Sequence, residues 1–528
     1  MTGDDEPTGP DGIASRPSRR DFLQSAALAG ASLAPGIVLC SLPAHAAQPG
    51  GALPVAEYEL DVATRDAQPD GRKRRISCYN GRLPGPLIRA RVGQKLRIKV
   101  VNHLTTPTSV HWHGLHQPGT WQMDGVDRVS REPIQPGETF VYEFEATPAG
   151  THWYHSHVGV QYGNGLFGPL VIDEETPPAK YDRDAILLIN DWFLRPAEQI
   201  LAGLVGPNRA GGKMPAMGGS PHDAPMPAMK DASKNGMQRP DKPMAGMPGM
   251  SMGGKGGKPD VGDVPFESVL FNGLGRFPGT VAPMPSVQLK QGETVRLRLI
   301  NASSTYAFRL QFGDYPLTVI ATDGAPVVPV QVDNLVFSPG ERYDVLVTAD
   351  QARPSLIRVA TLAGDEGEAL LIVDPADKHA ARLMNWGPRS LKLEALRSPG
   401  QVQLHSHPRE LRLRLGGTMR PYSWNINNQE YPHAEPIAAA KGEWLRFVLD
   451  NPTGMDHPFH LHGHYFFVLG PPDRLNLVDP PRKDTVNVPA GGRLVLLWKA
   501  NNPGRWFFHC HIEWHVATGM ARVIDIAQ

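Results

Sequence analysis

The sequence predicts an all-β chain of three tandem β-sandwich domains, and a repeat in its strands is the main reason. Gly93-Gln-Lys-Leu-Arg-Ile-Lys-Val-Val-Asn102, Gly292-Glu-Thr-Val-Arg-Leu-Arg-Leu-Ile-Asn301 and Gly442-Glu-Trp-Leu-Arg-Phe-Val-Leu-Asp-Asn451 share one pattern. Each runs glycine, two residues, apolar, Arg, apolar, any, apolar, any, Asn, the alternation of a half-buried strand entered from a glycine turn. A second pattern follows each copy: Pro136-Gly-Glu-Thr-Phe, Pro339-Gly-Glu-Arg-Tyr and the looser Pro489-Ala-Gly-Gly-Arg. Order kept three times marks an internal repeat. The third observation is compositional. With 55 Gly and 52 Pro and few long helical periods, the chain suits sandwiches better than helical layers. The copies are placed at 47–175, 176–378 and 398–528, with a linker at 379–397.

At 528 residues the chain exceeds one ordinary core, in keeping with several domains. Lys and Arg number 53, and so do Asp and Glu, so charge gives no case for nucleic acid or a membrane surface. Cysteine occurs only as Cys40, Cys78 and Cys510, too few for an internal disulfide framework once Cys40 is removed and Cys510 serves as a ligand. Residues 1–46 read as a twin-arginine signal peptide. Ser18-Arg-Arg-Asp-Phe-Leu23 precedes an apolar, alanine-rich stretch that ends in Ala44-His-Ala46. The stretch is too short for a membrane span, and Leu39 before Cys40 argues against lipidation. The expectation is passage through the twin-arginine export machinery as a folded protein. It predicts a mature chain in the periplasm or outside the cell, without stable membrane insertion.

The chemistry concentrates at the C-terminus, in Trp506-Phe-Phe-His-Cys-His-Ile-Glu-Trp-His-Val-Ala-Thr-Gly-Met520. A thiolate (Cys510), imidazoles (His515, with His457 as the candidate second) and a weak thioether (Met520) form the ligand set of a blue copper site. On a strand, His509 and His511 face away from Cys510, toward a second metal-binding site. Four clusters carry ten histidines: His111/His113, His155/His157, His457/His460/His462 and His509/His511/His515. His-x-His on one strand face sets two rings about 6–7 Å apart, suited to neighbouring ions rather than one. Zinc sites need only three or four ligands, so this inventory points to several coppers. Any one pair alone would read as ordinary core or surface histidines.

The middle copy has no histidine between His222 and His379 and reads as a spacer or a wall facing the substrate. Its insertion at 214–252 holds nine of the sixteen methionines. Thioethers select Cu(I), so metal handling is expected there, the plain alternative being a low-complexity linker.

Taken together, the four clusters resemble the signature motifs of three-domain multicopper oxidases, the family of laccases, ascorbate oxidase and bacterial cuprous oxidases. Gly165-Leu-Phe-Gly-Pro-Leu-Val-Ile172 and Phe271-Asn-Gly-Leu-Gly-Arg276 resemble laccase framework segments. The resemblance implies cupredoxin-like Greek-key domains and four copper ions. It assigns His457, Cys510, His515 and axial Met520 to type 1 copper, and His111 and His460 to type 2. His113, His155 and His511 would hold one type 3 copper; His157, His462 and His509 the other. His103, His116, His152 and His464 fall outside the pattern. The implied reaction takes single electrons from Cu(I) or a small aromatic reductant, through an exposed edge of His457 or His515, and reduces dioxygen to water. Asp124 matches an acid that assists proton delivery, though an Asp-Gly turn alone would also explain it. Val516 stands where some relatives carry a second acid, and Glu513 lies near. Among donors, a cuprous ion and a phenol both remain open, as does a catalytically silent scaffold of the same fold.

Overall fold

The computed structural model of the protein describes residues 53–206, 263–277, 279–280, 284–351, 354–362, 366–372, 381 and 383–527. The signal peptide and the methionine-rich insertion expected from the sequence lie outside these residues.

Six sheets pair into three sandwiches. In the first, a four-stranded sheet built around Lys95–Asn102 faces one holding His111–His113 and Gly150–His155. The second pairs a seven-stranded sheet around Thr294–Asn301 with a five-stranded sheet. The third sets a six-stranded sheet around Trp444–Asp450 against five strands that include His457–Leu461 and Gly504–Cys510. The repeated strand plays one part three times. It runs parallel to Ala56–Ala67, Arg183–Trp192 and Arg409–Met419 in turn, and antiparallel to Thr139–Glu145, Arg342–Thr348 and Arg493–Lys499.

Its two end residues explain the conserved spacing. Gly93, Gly292 and Gly442 take φ of +79°, +80° and +86°, the left-handed turn that glycine enters without steric cost. The closing asparagines are fully buried and make the same bonds. Asn102 donates to Thr106 and Ile134 carbonyls, Asn301 to Tyr306 and Phe337, and Asn451 to Met455 and Val488. Each side-chain oxygen also accepts a backbone N–H two residues on, from Leu104, Ser303 and Thr453. A buried amide thus satisfies three backbone groups that a strand end leaves unpaired.

Alternation fails in the middle copy. Thr294–Asn301 is buried on both faces, because Arg296 and Arg298 meet the first domain instead of water. Arg296 pairs with Asp344 and Glu174, both at 2.5 Å, and Arg298 with Asp184 at 2.8 Å and the Thr151 hydroxyl at 2.9 Å. These charges are tolerated in the interior only because each is matched.

Candidate metal centre

Four strand segments bring the histidines together. His111–His113 and the end of Gly150–His155 pair antiparallel in the first domain, with His111 opposite His155. In the third domain His457–Leu461 pairs with Gly504–Cys510, with His460 opposite His509 and Phe459 opposite Cys510. Rings from the first and third domains stack: His113 on His460 with centroids 3.7 Å apart, and His111 on His462 at 3.8 Å. Within the four His-x-His pairs the centroids lie 5.8, 5.8, 4.7 and 5.5 Å apart, somewhat closer than strand spacing suggests. His457, Cys510 and His515 form a separate group on the other face of Cys510. There Sγ lies 3.7 Å from His457 Nδ1 and 3.6 Å from His515 Nδ1. Met520 is buried in the same core, and its carbonyl accepts the Cys510 backbone N–H.

Hydrogen bonds fix the ring tautomers. The Nδ1–H of His111 donates to the Asp124 carbonyl, that of His155 to Ser156, that of His460 to Asp484 and that of His509 to Cys510, each at 2.9 Å. His462 Nδ1–H donates to the Asp124 carboxylate at 2.8 Å. The Nε2 atoms of His111, His155, His157 and His460 are buried without a partner. His113 is inverted: its Nε2–H donates to the Thr485 hydroxyl at 3.0 Å, leaving Nδ1 facing inward.

The consequence is three close pairs of ring nitrogens. His462 Nε2 lies 3.0 Å from His509 Nε2, His457 Nδ1 is 3.1 Å from His515 Nδ1, and His113 Nδ1 is 3.2 Å from His511 Nε2. Burial pushes the His113, His155, His157, His457, His462, His509 and His511 rings well below the usual imidazole range, and neighbouring imidazoles add to this. These seven rings are therefore neutral at ordinary pH. Neutral imidazoles whose other nitrogen is anchored are the donor form that copper requires. Burial likewise raises the Cys510 thiol, so its thiolate needs a cation beside it. The residues fit copper.

The family models match this architecture throughout: multicopper oxidase models align with residues 61–177, 232–369 and 405–528. The multicopper oxidase MmcO of Mycobacterium tuberculosis is 33% identical over 85% of this chain and 82% of its own. The chain belongs to the multicopper oxidase family. Laccase-2 of Botryotinia fuckeliana is 32% identical over 88% of this chain and 81% of its own. Among solved structures, the laccase of Botrytis aclada superposes with a TM-score of 0.70 at 28% identity, covering 89% of this chain and 87% of that one. Fet3p, at 21% identity, reaches 0.74 over 90% of both chains and speaks for the fold alone. The oxidase is thus built of three cupredoxin-like domains and carries four coppers, one of type 1, one of type 2 and two of type 3.

Two expectations change. Neither His457 nor His515 has an exposed edge; both are fully buried. Trp424 stacks on His515 with centroids 4.0 Å apart, and Asp263 caps it by accepting its Nε2–H at 2.8 Å and the Tyr422 hydroxyl. The middle domain does more than space the others, since Gly340 lies against the His113 and His511 rings. Of the remaining histidines, His103 sits on the surface beside Asp61. His116 is partly buried and His152 and His464 fully so, and desolvation lowers them to about 4, 3 and 3. Glu513, on the short helix Glu513–Ala517, turns inward and accepts the Gly163 backbone N–H at 3.1 Å. Asp263, Thr453 and Asp484 were not legible in the sequence; none belongs to a motif, and only the fold places them beside ligands.

Proposed function

We propose that this oxidase takes electrons from Cu(I), with His457, Cys510, His515 and Met520 holding type 1 copper. In this reading His111 and His460 hold type 2 copper. His113, His155 and His511 hold one type 3 ion, and His157, His462 and His509 the other. The observation that carries it is the two-sided strand: Cys510 faces one imidazole pair while His509 and His511 face the other cluster. Bound copper supplies one-electron oxidation of the donor on one side of that strand and reduction of dioxygen to water on the other.

The chain's own groups do the rest. Trp424, Tyr422 and Asp263 exclude water from the type 1 ligands, so the donor stops short of the metal. Asp124 joins the His111 and His462 ends of the cluster and is placed to hand on protons there. Glu513 is placed to do so at the opposite end, where Tyr162 bonds the His511 carbonyl.

Two features favour a cuprous donor. A cavity of about 40 Å³, a size for water or an ion, is lined by Met455, Asp456 and Asn487, and by Pro458 next to His457 in the chain. Asp263 also follows the methionine-rich stretch 214–252 in sequence. Phenolic donors form the second reading, favoured by relatives named laccases. Twin-arginine export to the periplasm and a role in copper tolerance complete the proposal. Among the described residues no helix is long and apolar enough to cross a membrane.

The test is oxygen uptake with Cu(I) and with a phenol, in the full chain and in one lacking 214–252. Selective loss of Cu(I) oxidation supports the cuprous reading. Unchanged Cu(I) oxidation overturns the role given to the insertion.

A further inference from the structure

The turn Ser338–Arg342 repeats the Pro-Gly turn of the first domain, and its glutamate does the same local work. Glu341 accepts the Ser338 backbone N–H as Glu138 accepts that of Gln135. The next residue departs from the repeat. Thr139 of the first domain is exposed, whereas Arg342 is fully buried and reaches into the third domain.

Arg342 sends Nη1 and Nη2 to the two carboxylate oxygens of Asp484, both at 2.6 Å. Its Nε donates to the Thr151 carbonyl and Nη1 also to Gly340, so the fork cannot turn. Asp484 holds the Thr485 hydroxyl proton at 2.8 Å, which leaves that oxygen to accept Nε2–H of His113. The Asp484 carbonyl accepts the His460 Nδ1–H. From the other side, Asp323 of the middle domain accepts the Asp484 and Thr485 backbone N–H groups at 3.3 and 3.1 Å and pairs with Lys483 at 3.1 Å. Gly340 completes the contact. A Cβ there would come within 2.9 Å of His511 and 3.1 Å of His113, and its φ of +87° suits glycine alone.

We propose that the middle domain, which supplies no ligand, positions the trinuclear ligands by gripping Lys483–Thr485 with Arg342 and Asp323 and seating Gly340 against His113 and His511. This rests on the ligand assignment given above. The clamp dictates the inverted tautomer of His113. Without the Arg342–Asp484 fork, the Thr485 hydroxyl is free to turn its proton toward His113, and Nδ1 loses its inward lone pair. Arg342, Asp484 and Thr485 are positioning residues, since none faces the space between the rings.

Two variants test it. Arg342→Lys keeps the charge and loses the fork; Thr485→Val removes one hydroxyl and buries no charge. Bound copper per chain, the blue thiolate absorption and the type 2 electron paramagnetic resonance signal are measured in each after copper loading. The expected result is a normal blue band with fewer than four coppers per chain and an altered or missing type 2 signal, because the type 1 ligands do not touch the clamp. Full copper with a native type 2 signal in both variants overturns the proposal, and so does joint loss of blue band and type 2 signal in both, which marks a general packing role. Thr485→Ser restores the hydroxyl and is expected to restore the signal. His460→Ala separates the two readings. If it leaves the type 2 signal intact, the ligand assignment falls and the clamp with it. If it abolishes the signal while the clamp variants look native, the clamp alone falls.

Discussion

Replacing Thr453 with valine removes a single hydroxyl from behind a type 1 ligand. That hydroxyl donates to Asn451 Oδ1 at 2.7 Å and accepts the Nε2–H of His457 at 2.9 Å. Valine leaves the imidazole N–H buried with no acceptor, a loss of about 1–3 kcal/mol. The loss falls mainly on the metal-bound state. In the metal-free protein His457 can shift its proton to Nδ1, where His515 Nδ1 lies 3.1 Å away to accept it. With copper on Nδ1 that escape is closed and the stranded proton stays on Nε2. The difference predicts type 1 copper bound about 5- to 140-fold more weakly, at 1.4 kcal/mol per tenfold. That range matches what changes behind a ligand generally cost. The assay is copper titration of metal-free protein against a competing chelator, followed by the blue absorption. Thr453→Ser retains the acceptor and is expected to bind like wild type. Wild-type affinity in Thr453→Val, or equal weakening in Thr453→Ser, would refute the reasoning.

Cys510→Ser is expected to lose the blue absorption and all donor-driven oxygen uptake while keeping its type 2 resonance; a surviving blue band would show that the thiolate lies elsewhere. Asp124→Asn still accepts the His462 N–H, so the cluster loads, but an amide neither releases nor takes up a proton at ordinary pH. Oxygen uptake is expected to fall about 10²–10⁴-fold, while anaerobic bleaching of the blue band by donor keeps its wild-type rate. Asp191, pushed up from 3.8 to about 7 by burial, gives a pH signature in stability. Between those values it is protonated when folded and ionised when unfolded, so the unfolded chain binds fewer protons and stability falls as pH rises through the window. The full rise corresponds to about 4 kcal/mol. Asp191→Asn is expected to gain on wild type from pH 4 to pH 7 in chemical denaturation, and a constant difference across that range would contradict the assignment.

What could be read from the sequence was what local chemistry dictates. A glycine entering each repeated strand and an asparagine closing it have the same task in all three domains, so the repeat survives and is visible. Histidines around Cys510 are legible because no other fate explains so many ligands at such spacing. Arg296 and Arg298 show where such reading ends. At alternate positions of a strand they look like a solvent face, and only Asp344 and Asp184 on the neighbouring strands, together with Glu174 and Thr151 of the first domain, turn that face into an interior. The burial of His457 and His515 escaped for the same reason. Trp424 and Tyr422 reach them from one strand and Asp263 from another domain, and no spacing rule links those positions to the histidines. Arg342 left one trace, a long cation where the first copy of the turn has threonine.

The two metal centres share a construction that explains why so much of the interior is polar. Behind His457 stands Thr453, itself turned by Asn451; behind His113 stands Thr485, turned by Asp484. In each case a buried, immobile group fixes a hydroxyl rotor, and the rotor decides which ring nitrogen keeps its proton. Such control is needed because three pairs of ring nitrogens are held 3.0–3.2 Å apart, where a change of tautomer would spend an inward lone pair on a hydrogen bond between the rings. Left free, those rings would turn away or change tautomer. The framework therefore holds an arrangement that is unfavourable until a cation arrives, and copper then recovers that cost as affinity instead of spending binding energy on reorganisation. The Arg342–Asp484 pair bridges the middle and third domains, whereas the Asn451 amide lies within the third, and the two belong to different chemical types. They serve one purpose: making the empty geometry close to the filled one.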